Sequence, residues 1–129
     1  MMILVDASIW IDFFRSGSYR AELETLLHNR QLAIHPYLVA ELALESLANR
    51  RQTLAELDSL PSLTTISMAD VRLMIERRGL YAEGIGFVDA NLLASCLATP
   101  GTKIWTLDTR LGKVADTLGI RADSRLLVN

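Results

Sequence analysis

A chain of 129 residues lies in the size range of one domain and buries roughly two-thirds of its unfolded surface, enough to fold without disulfides or a structural metal. Hydrophobic residues at 50 % and charged ones at 22 % exclude a disordered chain, and a net charge of −2 gives no compositional sign of nucleic-acid binding. The longest apolar run, Met1–Val5, is far short of the ~18 residues of a membrane span. With no basic segment ahead of Asp6, the start does not read as a signal peptide. Cys96 is the only cysteine, so no internal disulfide can form, and a cytoplasmic location is expected. One cysteine with His28 and His35 is too little for a Cys/His zinc site.

The first element is a buried strand over Met2–Asp6, where Met, Ile, Leu and Val follow one another without polar alternation. Ser8 is placed to cap a short helix through Phe14, Arg15–Ser18 turns, and Tyr19–Asn29 is helical with Leu23, Leu26 and Leu27 on one side. Gln31–His35 is a second strand, and Pro36 opens a helix to about Ala48. Arg50–Leu60 is helical, Leu63–Ser67 a third strand, and Ala69–Leu80 a helix with the stripe Val71, Met74, Ile75 and Gly79 as its C-cap. After a loop at Gly84–Gly86, Phe87–Ala98 is a helix stopped by Thr99-Pro100-Gly101. Lys103–Leu107 is a strand, Thr109–Leu118 a helix, and Leu126–Val128 a terminal strand. Short apolar strands alternating with helices predict an α/β fold of Rossmann-like three-layer type, with a central parallel sheet flanked by helices in one domain over 1–129. The pattern leaves the strand order open.

Familiar nucleotide motifs fail. Gly84-Ile85-Gly86 starts like a dinucleotide fingerprint, but Asp89 holds the third glycine position, where its charge repels a pyrophosphate. Gly79 and Gly84 have phosphate-loop spacing, yet Ile85 follows in place of lysine. Cys96 sits in an apolar helical stretch and reads as a buried, inert thiol, and His35 as a strand-end histidine satisfied by hydrogen bonds.

Acidic residues stand out instead. Asp6 and Asp108 each end a strand, and parallel strands bring such ends to one edge, where α/β proteins bind ligands. Asp89 opens a helix and Glu41 lies in the helix after the second strand. Taken singly, Asp89 and Asp108 also suit plain helix-capping roles. On a helical wheel Glu41 and Glu45 both border the buried stripe, and the wheel does not choose between them. Asp6 is the informative one: it follows four apolar residues, where a buried charge is unfavourable without a partner. Clustered carboxylates repel unless protonated or bound to cations, and hard oxygen donors suit Mg²⁺ or Mn²⁺.

Four segments then carry a resemblance across essentially the whole chain: Leu4-Val5-Asp6-Ala7-Ser8-Ile9-Trp10-Ile11-Asp12, Val39-Ala40-Glu41-Leu42, Gly86-Phe87-Val88-Asp89-Ala90 and Trp105-Thr106-Leu107-Asp108. In this order and spacing the sequence resembles the PIN-domain ribonucleases, and among them the VapC-like toxins of bacterial toxin–antitoxin pairs. By position, Asp6, Glu41, Asp89 and Asp108 match the family's acidic quartet, which holds Mg²⁺ or Mn²⁺, and Ser8 and Thr106 match the hydroxyl residues that orient it. Ala7 departs from a common threonine, and Leu107 from a common basic or polar residue. Asp12 and Asp116 are further acids near the expected site.

The resemblance implies a metal-dependent endoribonuclease acting on structured RNA, tRNA or rRNA, as a homodimer restrained by a small antitoxin, with no membrane partner. Arg15, Arg50, Arg51, Arg77, Arg78 and Arg110 are candidate RNA contacts, although exposed arginines mostly serve solubility and ion pairs. Two other readings compete. A phosphoacceptor signalling domain also carries strand-end acids, but Lys103 starts its strand, at the far end from Asp108. A catalytically silent protein-binding domain of the same fold is the other.

Overall fold

The structure is a computed structural model and describes residues 1–123. Its sheet has three parallel strands, β1 (Met2–Val5), β2 (Leu32–Ala33) and β3 (Thr102–Trp105), in the order β2-β1-β3. Ile3, Leu4 and Val5 are almost wholly buried, as an unalternated apolar strand must be when both faces are covered. Ile3 lies opposite Leu32 and Lys103, Leu4 opposite Ala33 and Ile104, and Val5 opposite Trp105. One parallel bridge extends the sheet on each side, Ser62 beside Ile34 and Arg121 beside Ile104.

Seven helices accompany the sheet among the described residues: α1 (Ala7–Ser16), α2 (Arg20–His28), α3 (Pro36–Ala43), α4 (Arg50–Asp58), α5 (Met68–Arg78), α6 (Phe87–Ala98) and α7 (Thr109–Thr117). α2 packs on β2 and α6 on β3, while α3 touches α1, α4 and α6. This is the α/β arrangement of a parallel sheet flanked by helices that the alternation predicts. α1, α3 and α7 each begin just past the end of a strand, so their first turns gather at the carboxyl edge of the sheet. Lys103 is the second residue of β3, opposite Ile3 and three residues before Thr106, away from the carboxyl edge where Asp6 and Asp108 lie, which removes the lysine that a phosphoacceptor site needs.

Several expectations are corrected. α1 runs on to Ser16, where Gly17, with φ of 72°, donates its N–H to the Phe13 carbonyl at 2.8 Å. Its cap position is Asp6 and not Ser8, whose hydroxyl is engaged elsewhere. Leu27 is exposed, since only Leu23 and Leu26 of its trio face the core. α3 stops at Ala43, five residues early, because Leu44 and Glu45 turn back to the carbonyls of Glu41 and Leu42. The Arg50 guanidinium then donates to the freed carbonyls of Ala43 and Glu45. Leu63–Ser67 forms no strand: its neighbour β2 ends within two residues, and the chain leaves the sheet after Leu63 donates to the Ile34 carbonyl at 2.8 Å. The strand expected over Leu126–Val128 lies outside the described residues.

His35 closes β2 and caps α3. Its Nδ1 accepts the Tyr37 N–H at 3.0 Å, and its Nε2 lies 2.9 Å from Ser95 Oγ. Ser95 donates its one hydroxyl proton to the Thr64 carbonyl at 2.7 Å, so it accepts from His35, whose Nε2 carries the proton. The buried ring is therefore neutral, and burial lowers its pKa from the usual histidine value. Below about pH 6.5 the unfolded chain takes up a proton that the folded ring refuses, so stability falls as pH drops toward the lowered folded value. His35→Asn keeps a capping acceptor without this titration. Chemical denaturation at pH 7.5 and 5.5 should show the wild type losing more stability than the variant over that interval.

Candidate active site

Asp6 ends β1 and is 5 % exposed. Its backbone N–H continues the sheet by donating to the Trp105 carbonyl at 2.9 Å, which places the carboxylate beside the end of β3. Ser8 and Thr106 both donate to Asp6 Oδ2, at 2.9 and 2.7 Å. Each hydroxyl has one proton, so the 3.4 Å approach between the two carries none. As acceptors they take the N–H groups of Leu107, onto Ser8 at 3.0 Å, and of Asp108, onto Thr106 at 3.0 Å. Two amide dipoles are thus relayed through two hydroxyls onto one carboxylate oxygen, and among the described residues Oδ1 is left without a side-chain donor.

The other three acids surround this centre. Asp108 caps α7, its Oδ1 accepting the Leu111 N–H at 2.9 Å. Asp89, in the first turn of α6, accepts the Gly86 N–H through Oδ2 at 3.3 Å. Glu41 lies half-buried on α3. Burial raises its pKa above the usual carboxylate value, and the charges of Asp6, Asp89 and Glu45 push the same way. Asp89 is also raised, by burial first, against the lowering by the Gly86 N–H, with Asp6 and Asp108 adding repulsion. Carboxylates from four segments spread over the whole chain therefore feel one another at one edge of the sheet.

Both expected caps form, and neither excludes a second role: each uses one oxygen and keeps the other. Glu45 lies past the end of α3 and pairs with Arg15 at 3.3 Å, so Glu41 is the acid of that pair acting directly with Asp6 and Asp89. Asp12 and Asp116 are not among the charges acting on Glu41 or Asp89. Arg15 and Arg50 have structural partners, in line with the bland reading of exposed arginines. Burial pushes the Cys96 thiol up to about 12, as expected of an inert group.

The donor chemistry, carboxylate oxygen throughout with one free oxygen on each capping acid, suits a hard divalent cation. The side chains are not drawn together as a closed cage: among the described residues no three His, Cys, Asp or Glu groups are arranged to hold an ion. The fit is thus one of chemistry and placement, and closing on an ion requires side-chain movement.

Two polar residues escaped the sequence reading. Asn91, buried in α6, donates to the Phe87 carbonyl at 2.9 Å and fixes the turn that carries Asp89. Ser95, one turn on, ties α6 to His35. Their signal was present: two polar residues four apart in a helix that is apolar at every other position after Asp89. The repulsion among the acids gives a test of the cluster independent of substrate. Asparagine caps about as well as aspartate, so Asp89→Asn keeps the Gly86 contact and removes a charge. In EDTA at pH 7.5 it should melt a few degrees above the wild type, given relief of ~1 kcal/mol. An unchanged or lower melting point leaves Asp89 as a cap only.

Comparison with known proteins agrees with this architecture. Residues 3–117 match the model of the PIN domain. Ribonuclease VapC32 of Mycobacterium tuberculosis, in strains H37Rv and CDC 1551, is 37 % identical over 119 residues, covering 92 % of this chain and 94 % of the relative. The crystal structure of PAE2754 from Pyrobaculum aerophilum superposes with a TM-score of 0.68 at 21 % identity, over 99 % of this chain and 93 % of that one, a likeness of fold. By sequence along nearly its whole length, the chain belongs to the PIN domain family and, within it, to the VapC ribonucleases.

Proposed function

We propose that the chain is the toxin of a toxin–antitoxin pair, an endoribonuclease that hydrolyses phosphodiester bonds of structured RNA, tRNA or rRNA, with Mg²⁺ or Mn²⁺. The observation that carries this is the gathering of Glu41, Asp89 and Asp108 around a hydroxyl-held Asp6, in a chain 37 % identical to a protein named as a ribonuclease. A bound divalent cation supplies a strong nucleophile from water at neutral pH and stabilises charge on the leaving oxygen.

The protein's own work is to place that charge. Asp6 offers Oδ1 while Ser8 and Thr106 hold the carboxylate in one orientation. Asp89 is the second direct ligand, with its other oxygen steadied by Gly86. Glu41, its pKa raised by burial, serves as a ligand or as a base through water. Asp108, exposed at the start of α7, is a ligand or the holder of a second ion. Water adds to phosphorus and gives up one proton to Glu41 or to solvent, the bond to the leaving oxygen breaks, and that oxygen takes up a proton from solvent.

Purified protein should cleave total tRNA and rRNA with Mg²⁺ or Mn²⁺ and stop on adding EDTA. Asp6→Asn and Asp89→Asn should each lower the rate by about 100-fold or more, as loss of an electrostatic group in a water-poor site does. Cleavage that persists in chelator, or in both variants, rejects the mechanism. A wild type that binds RNA or a protein but never cuts would instead favour the silent binding domain.

The proposed assembly is a cytoplasmic homodimer that binds a small antitoxin covering the acidic site. No helix among the described residues is long and apolar enough to cross a membrane. Light scattering at micromolar concentration should give twice the monomer mass, and a small protein should co-purify when the native operon is expressed. A monomer counts against the dimer, and isolation of the chain alone counts against the antitoxin.

A further inference from the structure

Phe87 is the first residue of α6, two before Asp89, and its side chain is 60 % exposed. It is not loose. Its ring stacks on Tyr37, with centroids 6.0 Å apart and planes at 26°, and Tyr37 meets His35 edge-on at 5.5 Å and 84°. His35 is locked by Ser95 and by the Tyr37 backbone, and Asn91 holds the Phe87 carbonyl. Three rings thus form a column from the core to the surface, and its outermost member turns an aromatic surface to water. Tyr37 precedes Glu41 by one turn on α3, so the column stands beside the carboxylates at both helices.

The neighbourhood decides what such a ring can meet. Glu41 follows Tyr37 by one turn on α3 and Asp89 follows Phe87 by two residues on α6, and their charges repel the phosphates of an incoming RNA. A nucleobase is neutral and has a π face. It can settle on the ring without entering the acidic field as an anion. A dry protein contact would have to desolvate those half-buried carboxylates further, which is unfavourable. Arg110, within 3.5 Å of the Gly84 carbonyl, brings a guanidinium to the loop leading into Phe87, where a phosphate beyond the stacked base can reach a cation.

We propose that Phe87 is a stacking platform for one unpaired nucleobase of the RNA substrate, positioning the chain beside the carboxylates; this rests on the ribonuclease reading above. Unpaired bases in loops are the parts of structured RNA that can swing out onto an aromatic side chain. The platform therefore favours cleavage near an unpaired nucleotide and is indifferent to which base it is, because every base has a π face.

Cleavage of bulk tRNA by the intact protein is compared for Phe87→Ala, Phe87→Leu and Phe87→Trp. Phe87→Ala should raise KM by about tenfold, the share of one stacked base, with a smaller change in kcat. Phe87→Trp should restore it and Phe87→Leu should not. In EDTA, a ten-nucleotide RNA carrying 2-aminopurine should be quenched on binding the wild type and not on binding Phe87→Ala. Full activity in Phe87→Leu overturns the proposal, as does a drop in mass of Phe87→Ala by light scattering, which assigns the ring to a contact between copies. A wild type that cuts tRNA with Phe87→Ala unchanged removes the platform alone. A wild type that neither binds nor cuts RNA removes the ribonuclease reading and the platform with it.

Discussion

A carboxylate at the end of an otherwise apolar central strand is unfavourable to bury, and the carboxyl edge of this structure is arranged around Asp6. Its own N–H is committed to the sheet, so donors for the side chain must come from elsewhere. Ser8 brings one from the first turn of α1 and Thr106 another from the residue after β3. Neither hydroxyl is free to turn away, since each is held from behind by a backbone N–H. The charge thereby fixes the joint between β1, α1 and the entry to α7. Asp108 sits where it does because its N–H belongs to that joint.

The fold was legible wherever one physical demand dominated a segment. Four apolar residues in a row can only be a covered strand, and Pro36, Gly79 and Asp108 mark helix ends for reasons of backbone chemistry. What the sequence hid were outcomes of competition at a distance. α3 ends early because Leu44 and Glu45 turn back onto the carbonyls of Glu41 and Leu42, and a guanidinium seven residues away then takes the carbonyl left at Ala43. Thr64 and Thr65 have good strand character, but no neighbour continues beside them once Pro36 turns β2 into a helix. Ser8 looked like a cap because caps are local, and a carboxylate two residues back outbid that role.

The acids divide in the same way. Position along the chain suggested four of them, and strand ends explained two; the helical wheel left Glu41 and Glu45 equal, the resemblance chose Glu41, and in the structure Glu45 is paired with Arg15. The burial that raises Glu41 and Asp89 has no signature in composition. Helix capping and participation in a charged cluster, which look like rivals on paper, coexist in Asp89 and Asp108 because a carboxylate has two oxygens. One tethers the side chain to its own helix; the other faces whatever the edge of the sheet attracts.

Cys96 lies deep in α6, with its thiol held protonated by burial at any ordinary pH. Oxidants and alkylating reagents act on the thiolate, so they cannot touch the folded chain and must wait until α6 lifts away from β3. As the single cysteine in the sequence, it turns chemical labelling into a clock for that event. The rate at which the protein takes up one thiol label would report how often its core opens, and nothing else about it.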